Sequence, residues 1–195
     1  MKYILGIDEA GRGCLAGPVY VAAVLFDEEY ICHSIKDSKL LKPEKREYAY
    51  SIIKEKAIWY QFYLLSNIVI DNLGISKAIY LLMKQLYEDA KKFYPDLDIT
   101  TIVDGNFDPI KKEKTFFLIK ADRKITAVSA ASIVAKVERD NYMKSISKYF
   151  PQYSFSFHKG YGTKKHIKEI LNFGLSSIHR KSFILSSKAI DYAKS

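Results

Sequence analysis

The chain runs to 195 residues, of which 48% are hydrophobic and 27% charged, proportions that suit one domain with a sizeable buried core. Lys and Arg number 31 against 22 Asp and Glu, for a net charge of +9. A surplus of that size fits a polyanion, because cationic side chains neutralise phosphates and release counterions, although a membrane surface would satisfy the charge alone. From the N-terminus, Tyr3 to Asp8 reads as a buried strand ending in the carboxylates Asp8 and Glu9 and the turn Gly11-Arg12-Gly13. Val19 to Phe26, entered through Gly17-Pro18, reads as a second strand; it is the longest apolar run and far too short to span a bilayer. Pro43 opens a helix to Lys56, since its fixed φ suits the first helical position. Ala57 to Leu65, rich in Ile, Trp, Tyr and Phe, predicts a third strand. From Ile75 to Tyr94 the apolar residues Ile75, Ile79, Leu82 and Leu86 recur at helical spacing and stop before Pro95.

Ile99 to Asp104 predicts a fourth strand and Thr115 to Ile119 a fifth, followed by Lys120-Ala121-Asp122. A long helix is expected from about Ser129 to Tyr149, with Ile133, Val137 and Ile146 turned inward. Thr163 is placed to cap a helix that runs to Phe173 and ends at Gly174. No repeat, low-complexity tract or linker interrupts the chain, so residues 1–195 are expected to form one α/β domain that is helical from about residue 150. Cys14 and Cys32 form neither a CxxC pair nor a disulfide framework, and the apolar stretch before Asp8 is too short for a secretory segment. Both features predict a reducing cytoplasm.

Three stretches place an acid at or just past the C-terminal end of a strand: Asp8-Glu9, Asp104 and Asp122. Ligands of open α/β sheets gather beyond such edges. If the first, fourth and fifth strands are neighbours, the acids converge and repel one another unless a multivalent cation lies among them. Hard oxygen ligands favour Mg²⁺ or Mn²⁺ and leave room for a substrate phosphate, the arrangement of two-metal phosphodiester hydrolysis. Adjacent side chains on an extended strand point to opposite faces. Asp8 and Glu9 therefore serve together only if the chain bends there, or if one offers its main-chain carbonyl. Taken singly, each acid has a plainer reading as a turn residue or helix cap.

In order along almost the whole chain, these stretches resemble type 2 ribonuclease H, specifically ribonuclease HII. The blocks are Gly6-Ile7-Asp8-Glu9-Ala10-Gly11-Arg12-Gly13, Leu15 to Val19, Asp37-Ser38-Lys39 and Val103-Asp104-Gly105-Asn106. Lys120-Ala121-Asp122 with Ser129 to Val137 and Arg139-Asp140, then His158 to Thr163, and His179 to Phe183 complete the set. The resemblance implies a ribonuclease H-like fold, with a mixed five-stranded sheet flanked by helices and a C-terminal helical extension. It makes Asp8, Glu9, Asp104 and Asp122 a catalytic tetrad that binds Mn²⁺ or Mg²⁺. It also sets the chain apart from ribonuclease HIII, whose extra N-terminal domain has no room before Gly6.

The implied reaction cuts the strand 5′ to a ribonucleotide, in RNA/DNA hybrids and at single ribonucleotides in duplex DNA, as in ribonucleotide excision repair and RNA primer removal. Such an enzyme must sense a 2′-hydroxyl. Gly11, Arg12 and Gly13 suit that task, because glycines let main-chain groups approach a sugar closely; a simple tight turn is the alternative. By resemblance, Tyr161 stacks on the next sugar, and Ser38 with Lys39 holds a backbone phosphate. Lys159, Lys164, Lys165, Arg180 and Lys181 form a basic cluster that would grip the duplex, while His158 and His179 are expected to be structural or phosphate-facing. Cys14 stands where the family usually has proline, Lys42 replaces the usual helix-capping Ser or Thr, and Arg123-Lys124 sets two cations beside Asp122. A monomer is expected. The rivals are another two-metal nuclease on the same fold and a non-catalytic nucleic-acid-binding module; a P-loop phosphotransferase is excluded by the lack of GxxxxGK[ST].

Overall fold

The computed structural model describes residues 1–35, 38, 41–105, 110 and 112–186. In chain order, β1 (Lys2–Ala10) and β2 (Val19–Asp27) precede α1 (Pro43–Lys56) and β3 (Trp59–Leu65). α2 (Asn67–Leu73), α3 (Ile75–Phe93), β4 (Asp98–Asp104) and β5 (Thr115–Leu118) follow, then a 3-10 turn at Ala121–Arg123 and α4 (Thr126–Ile146). A second 3-10 turn at Ser147–Tyr149 leads to the short α5 (Phe155–His158), α6 (Lys164–Phe173) and α7 (Lys181–Ser186). The five strands make one mixed sheet in the order β3-β2-β1-β4-β5. β2 runs antiparallel to both its neighbours, whereas β1, β4 and β5 are parallel.

The unbroken apolar run of β2 reflects its place inside the sheet, covered on both faces. Val19, Val21, Ala23 and Leu25 join one core with Ile79, Leu82 and Leu86 of α3. Tyr20, Ala22, Val24 and Phe26 join a second core with Ala49 and Ile53 of α1 and Ala130, Ile133, Val134 and Val137 of α4. Burying a Leu or Ile side chain in this way is worth about 1.5–3 kcal/mol, so both faces hold the sheet. Gly6 lets α4 come close: a Cβ there would lie 2.2 Å from the carbonyl carbon of Ala127. The first turn of α4 can therefore rest directly on β1.

α2 is an element the sequence pattern does not reveal. Ser66 caps it, accepting from the Val69 amide at 3.5 Å, and Asn67 donates to the carbonyls of Ser177 and His179 at 2.9 and 3.1 Å. The C-terminal helices surround a third core of Leu15, Met143, Tyr153, Phe155, Ile170 and Ile184. Thr163 caps α6 by accepting from His166, and Lys42 makes no side-chain cap for α1. α4 begins at Thr126, earlier than the apolar pattern indicates, and its expected tail is the separate 3-10 turn. No helix among the described residues is long and apolar enough to cross a membrane.

Candidate active site

Parallel pairing sets Ile7 of β1 beside Val103 of β4, both in the α3-side core. The next residue of each strand points to the opposite face, and these residues are Asp8 and Asp104. Asp122 arrives from the 3-10 turn between β5 and α4. One carboxylate oxygen from each of the three lies within 4.8 Å of the others. Asp104 Oδ1 accepts from the Ala121 amide at 2.9 Å, tying β4 to the turn that carries Asp122. The Asp122 carbonyl accepts from Ser129 Oγ at 2.7 Å, which fixes the same turn to α4.

Asp8 is buried, and burial pushes its carboxyl well above the usual carboxylate range. The negative charge of Glu9 adds to this, as does that of Asp104, while hydrogen bonds from Ser132 and the Glu9 amide partly offset it. A site that resists collecting negative charge in the absence of a counterion suits a bound cation. Its donors are all carboxylate oxygens, which match a hard divalent ion.

β1 does not end at Asp8. Glu9 and Ala10 keep pairing with Val21 and Tyr20 of β2, so the strand runs two residues past the expected boundary without a bend. Glu9 accordingly stands outside the group of three, with Oε1 3.5 Å from Arg12 Nη1.

Past β1 the chain turns at Gly11, whose φ is +88° and where a Cβ would lie 2.0 Å from Arg139 Nε. Arg139, on α4, is fully buried and donates to the carbonyls of Pro18, Lys159 and Ala16 at 3.0, 3.0 and 3.1 Å. Arg180 is equally buried and donates to those of Gly17 and Arg12, both at 2.9 Å. Two guanidinium groups thus hold residues 12 to 18 in shape through their main chain. Arg180 therefore does not belong to the expected duplex-gripping cluster: it is fully buried, and its hydrogen bonds among the described residues go to the main chain of Arg12 and Gly17. Lys164, Lys165 and Lys181 are exposed.

Glu9, Gly11, Arg12, Gly13, Ser38 and Tyr161 share the wall of a cavity of about 220 Å³. Tyr161 is 37% exposed as a residue, with Lys136 Nζ 5.1 Å and Arg139 Cζ 5.5 Å from its ring centre. Burial pushes its hydroxyl pKa up to about 12, so it remains a neutral donor. Lys136 and Tyr161 also border a larger cavity of about 560 Å³ whose other cations are Arg46, Lys144 and Lys159. Ser38 is buried, its Oγ 2.9 Å from Ser132 Oγ, which links it to the Asp8 carboxylate. Lys39, Asp37 and Asn106 lie outside the described residues. His158 and His179 are both buried and hydrogen-bonded within the extension, the structural one of the two roles expected for them.

The sequence pattern gave no individual role to Ser132, Lys136 or Arg139. Their spacing carried a signal: Ser132, Lys136, Arg139 and Met143 fall on one face of α4. Polar groups on a face otherwise committed to packing mark a face turned toward a site.

Parallel neighbouring strands that deliver acids to one edge, with a helix carrying polar residues across it, define a nuclease of the ribonuclease H-like fold. Ribonuclease HII from Archaeoglobus fulgidus, solved in complex with PCNA, superposes with a TM-score of 0.74 at 27% identity, over 95% of this chain and 96% of that one. Ribonuclease H2 from Pyrococcus horikoshii gives 0.69 at 27% identity, over 98% and 99% of the two chains. The family model for ribonuclease HII matches residues 5–186. The ribonuclease HII of Caldicellulosiruptor saccharolyticus is 45% identical over 183 residues, which is 94% of this chain and 87% of that protein. The chain belongs to the ribonuclease HII family, and it is a ribonuclease H hydrolase.

Proposed function

We propose that this enzyme hydrolyses the phosphodiester on the 5′ side of a ribonucleotide, in RNA/DNA hybrids and at single ribonucleotides embedded in duplex DNA, leaving a 3′-hydroxyl and a 5′-phosphate. The observation that carries this reading is the meeting of Asp8, Asp104 and Asp122 within 4.8 Å, beside the cavity walled by Gly11, Arg12, Gly13 and Tyr161. Asp8, Asp104 and Asp122 would hold Mn²⁺ or Mg²⁺ directly. Glu9, near enough for its charge to act on Asp8, would be the fourth acid of the set, through its main-chain carbonyl or by a side-chain movement toward the bound ions. When bound, the ions activate a water and neutralise charge on the leaving oxygen. The main chain of Gly11, Arg12 and Gly13 reads the 2′-hydroxyl, and the Tyr161 ring packs on the sugar that follows. Ser38 and Lys39 hold a backbone phosphate, and the net charge of +9 draws the duplex in.

The whole chain acts as one catalytic domain, with residues from about 150 onward contributing to substrate binding. It works as a cytoplasmic monomer in ribonucleotide excision and primer removal. The deciding experiment uses a DNA duplex with one ribonucleotide, incubated with Mg²⁺ or Mn²⁺. A single nick is expected 5′ to the ribose, with no cut in an all-DNA duplex and no activity in Asp8→Asn or Asp104→Asn. Binding without a nick would favour a non-catalytic module, and cleavage of the all-DNA duplex would favour another nuclease of this fold.

A further inference from the structure

The loop that carries Tyr161 rests on three buried histidines, and their hydrogen bonds leave each ring one tautomer. His158 Nδ1 lies 3.1 Å from the Gly160 amide, which can only donate. That nitrogen therefore accepts, and the ring proton sits on Nε2, donated to Glu169 Oε2 at 2.9 Å. His166 Nδ1 lies 2.9 Å from the Tyr161 carbonyl, which can only accept, so Nδ1 carries the proton and Nε2 the lone pair. His179 Nδ1 accepts from the Ser176 amide at 2.9 Å, which puts its proton on Nε2. That proton meets the lone pair of His166 Nε2 across 3.1 Å. The assignments for His166 and His179 are made independently, and they agree at the contact the two rings share.

The result is a directed chain in which His179 donates to His166 and His166 donates to the Tyr161 carbonyl. His158 stacks on His166 with ring centres 4.1 Å apart. The charged groups that act on the three rings are Glu169, Lys159 and Lys165, together with the histidines themselves. Burial is the largest influence on each ring and keeps all three neutral at neutral pH, His166 and His179 at about 4. Tyr161 lies between two glycines, with Gly160 at a φ of +83°. Its amide donates to the His158 carbonyl at 3.0 Å and its carbonyl also accepts from the Thr163 amide at 2.8 Å, so His166 is the side chain that ties this turn to the helix behind it. The Gly160 carbonyl in turn accepts from the Leu15 amide at 2.8 Å, so the loop is continuous with the segment after Gly11-Arg12-Gly13.

We infer that His166 is a positioning residue for ribonucleotide recognition, its Nδ1–H, held in that tautomer by His179, fixing the Tyr161 main chain and thereby the aim of the ring. This rests on the reading of Tyr161 as the side chain that meets the sugar. Acid should undo the arrangement, because each lone pair in the chain already faces a donor. A second proton on His166 Nε2 would face the His179 N–H, and one on His179 Nδ1 would face the Ser176 amide.

The test measures affinity for a duplex with one ribonucleotide relative to an all-DNA duplex, in EDTA, so that no cleavage intervenes. His166→Asn keeps a donor near the Nδ1 position and should hold the wild-type ratio. His166→Gln keeps a polar group toward His179 and loses the donor to Tyr161. It should lower the ratio about ten-fold, the effect of losing one well-placed hydrogen bond, with affinity for all-DNA unchanged. Tyr161→Ala sets the floor. If Tyr161→Ala keeps the ratio, the reading of Tyr161 itself falls. If Tyr161→Ala loses it and His166→Gln keeps it, only the role given to His166 falls. Nitrogen NMR of the wild-type rings supplies an arm that needs no variant to fold. His166 is expected as the Nδ1–H form with His158 and His179 as Nε2–H, and an Nε2–H form of His166 would overturn the inference.

Discussion

Asp8 and Asp104 occupy equivalent positions on adjacent parallel strands, so two like charges meet where Asp8 is almost out of reach of water. The folded state holds the Asp8 proton more tightly than the unfolded chain does. Between the ordinary carboxylate value of 3.8 and that raised value, folding takes up a proton, and metal-free stability falls as pH rises. Asp8→Asn should therefore abolish cleavage yet raise the thermal midpoint in EDTA at pH 7, by about 2–4 °C for each kcal/mol of relieved repulsion. Mg²⁺ or Mn²⁺ should stabilise the wild type more than the variant. A lower midpoint for Asp8→Asn in EDTA would contradict the electrostatic account.

Gly11 and Gly13 look alike in sequence but differ in what they tolerate. A Cβ at Gly11 would meet the Arg139 guanidinium, whereas one at Gly13 would meet nothing within 4 Å. Gly11→Ala should cost stability in urea denaturation, by at least the 1–3 kcal/mol of a strained left-handed residue. Gly13→Ala should fold as the wild type. If the turn approaches a sugar, Gly13→Ala should still lose preference for the ribonucleotide, which a comparison of cleavage rates on single-ribonucleotide and hybrid duplexes would show.

Arg139 satisfies three carbonyls at once. Arg139→Met removes the donors and leaves buried acceptors, each costing about 1–3 kcal/mol. The expected loss is on the order of 3 kcal/mol or more by urea denaturation. A loss below about 1 kcal/mol would mean that water replaces the guanidinium.

Acid should destabilise the protein in a window set by histidine. His166 and His179 take up protons in the unfolded chain near 6.5 but only near 4 in the folded state. The unfolded state thus binds more protons between those values, and stability falls as pH drops from 6.5 toward 4, by on the order of 3 kcal/mol for one fully buried ring. Asp71 and Glu169 are held below their usual values and lose their contribution only further down, as pH falls past about 4.5. Chemical denaturation at intervals from pH 7.5 to 4 separates the two. Because proton uptake at Asp8 has the opposite slope, the measurement is made on Asp8→Asn, where a flat response between 6.5 and 5 would contradict the buried neutral rings.

Much of this molecule is legible in its residue order. The continuous apolar run of β2, the proline that opens α1 and the helical spacing of α3 are local signals, and the structure follows them closely. Acids at strand ends pointed to Asp8, Asp104 and Asp122 because a parallel sheet brings such ends to one edge. Glu9 falls outside that group of three because β1 stays extended through Ala10, so its side chain and that of Asp8 alternate faces; the sequence states the condition, and only the fold shows that no bend meets it. α2 escaped notice because seven residues are too few to show a period. Arg180 was misplaced for a different reason. Its acceptors at residues 12 and 17 are 168 and 163 positions away, and a cation among lysines reads as exposed until the fold is known.

That separation orders events as the polypeptide is made. A ribosome delivers Asp8, Asp104 and Asp122 well before residue 180, so the sheet and its acids are synthesised while the clamp on the turn is still missing. Until Arg180 emerges, the carbonyls of Arg12 and Gly17 lack the donor that holds them in the finished fold. The three clustered acids come from the first two-thirds of the chain, and the discrimination between sugars proposed for the turn would wait for its final segment.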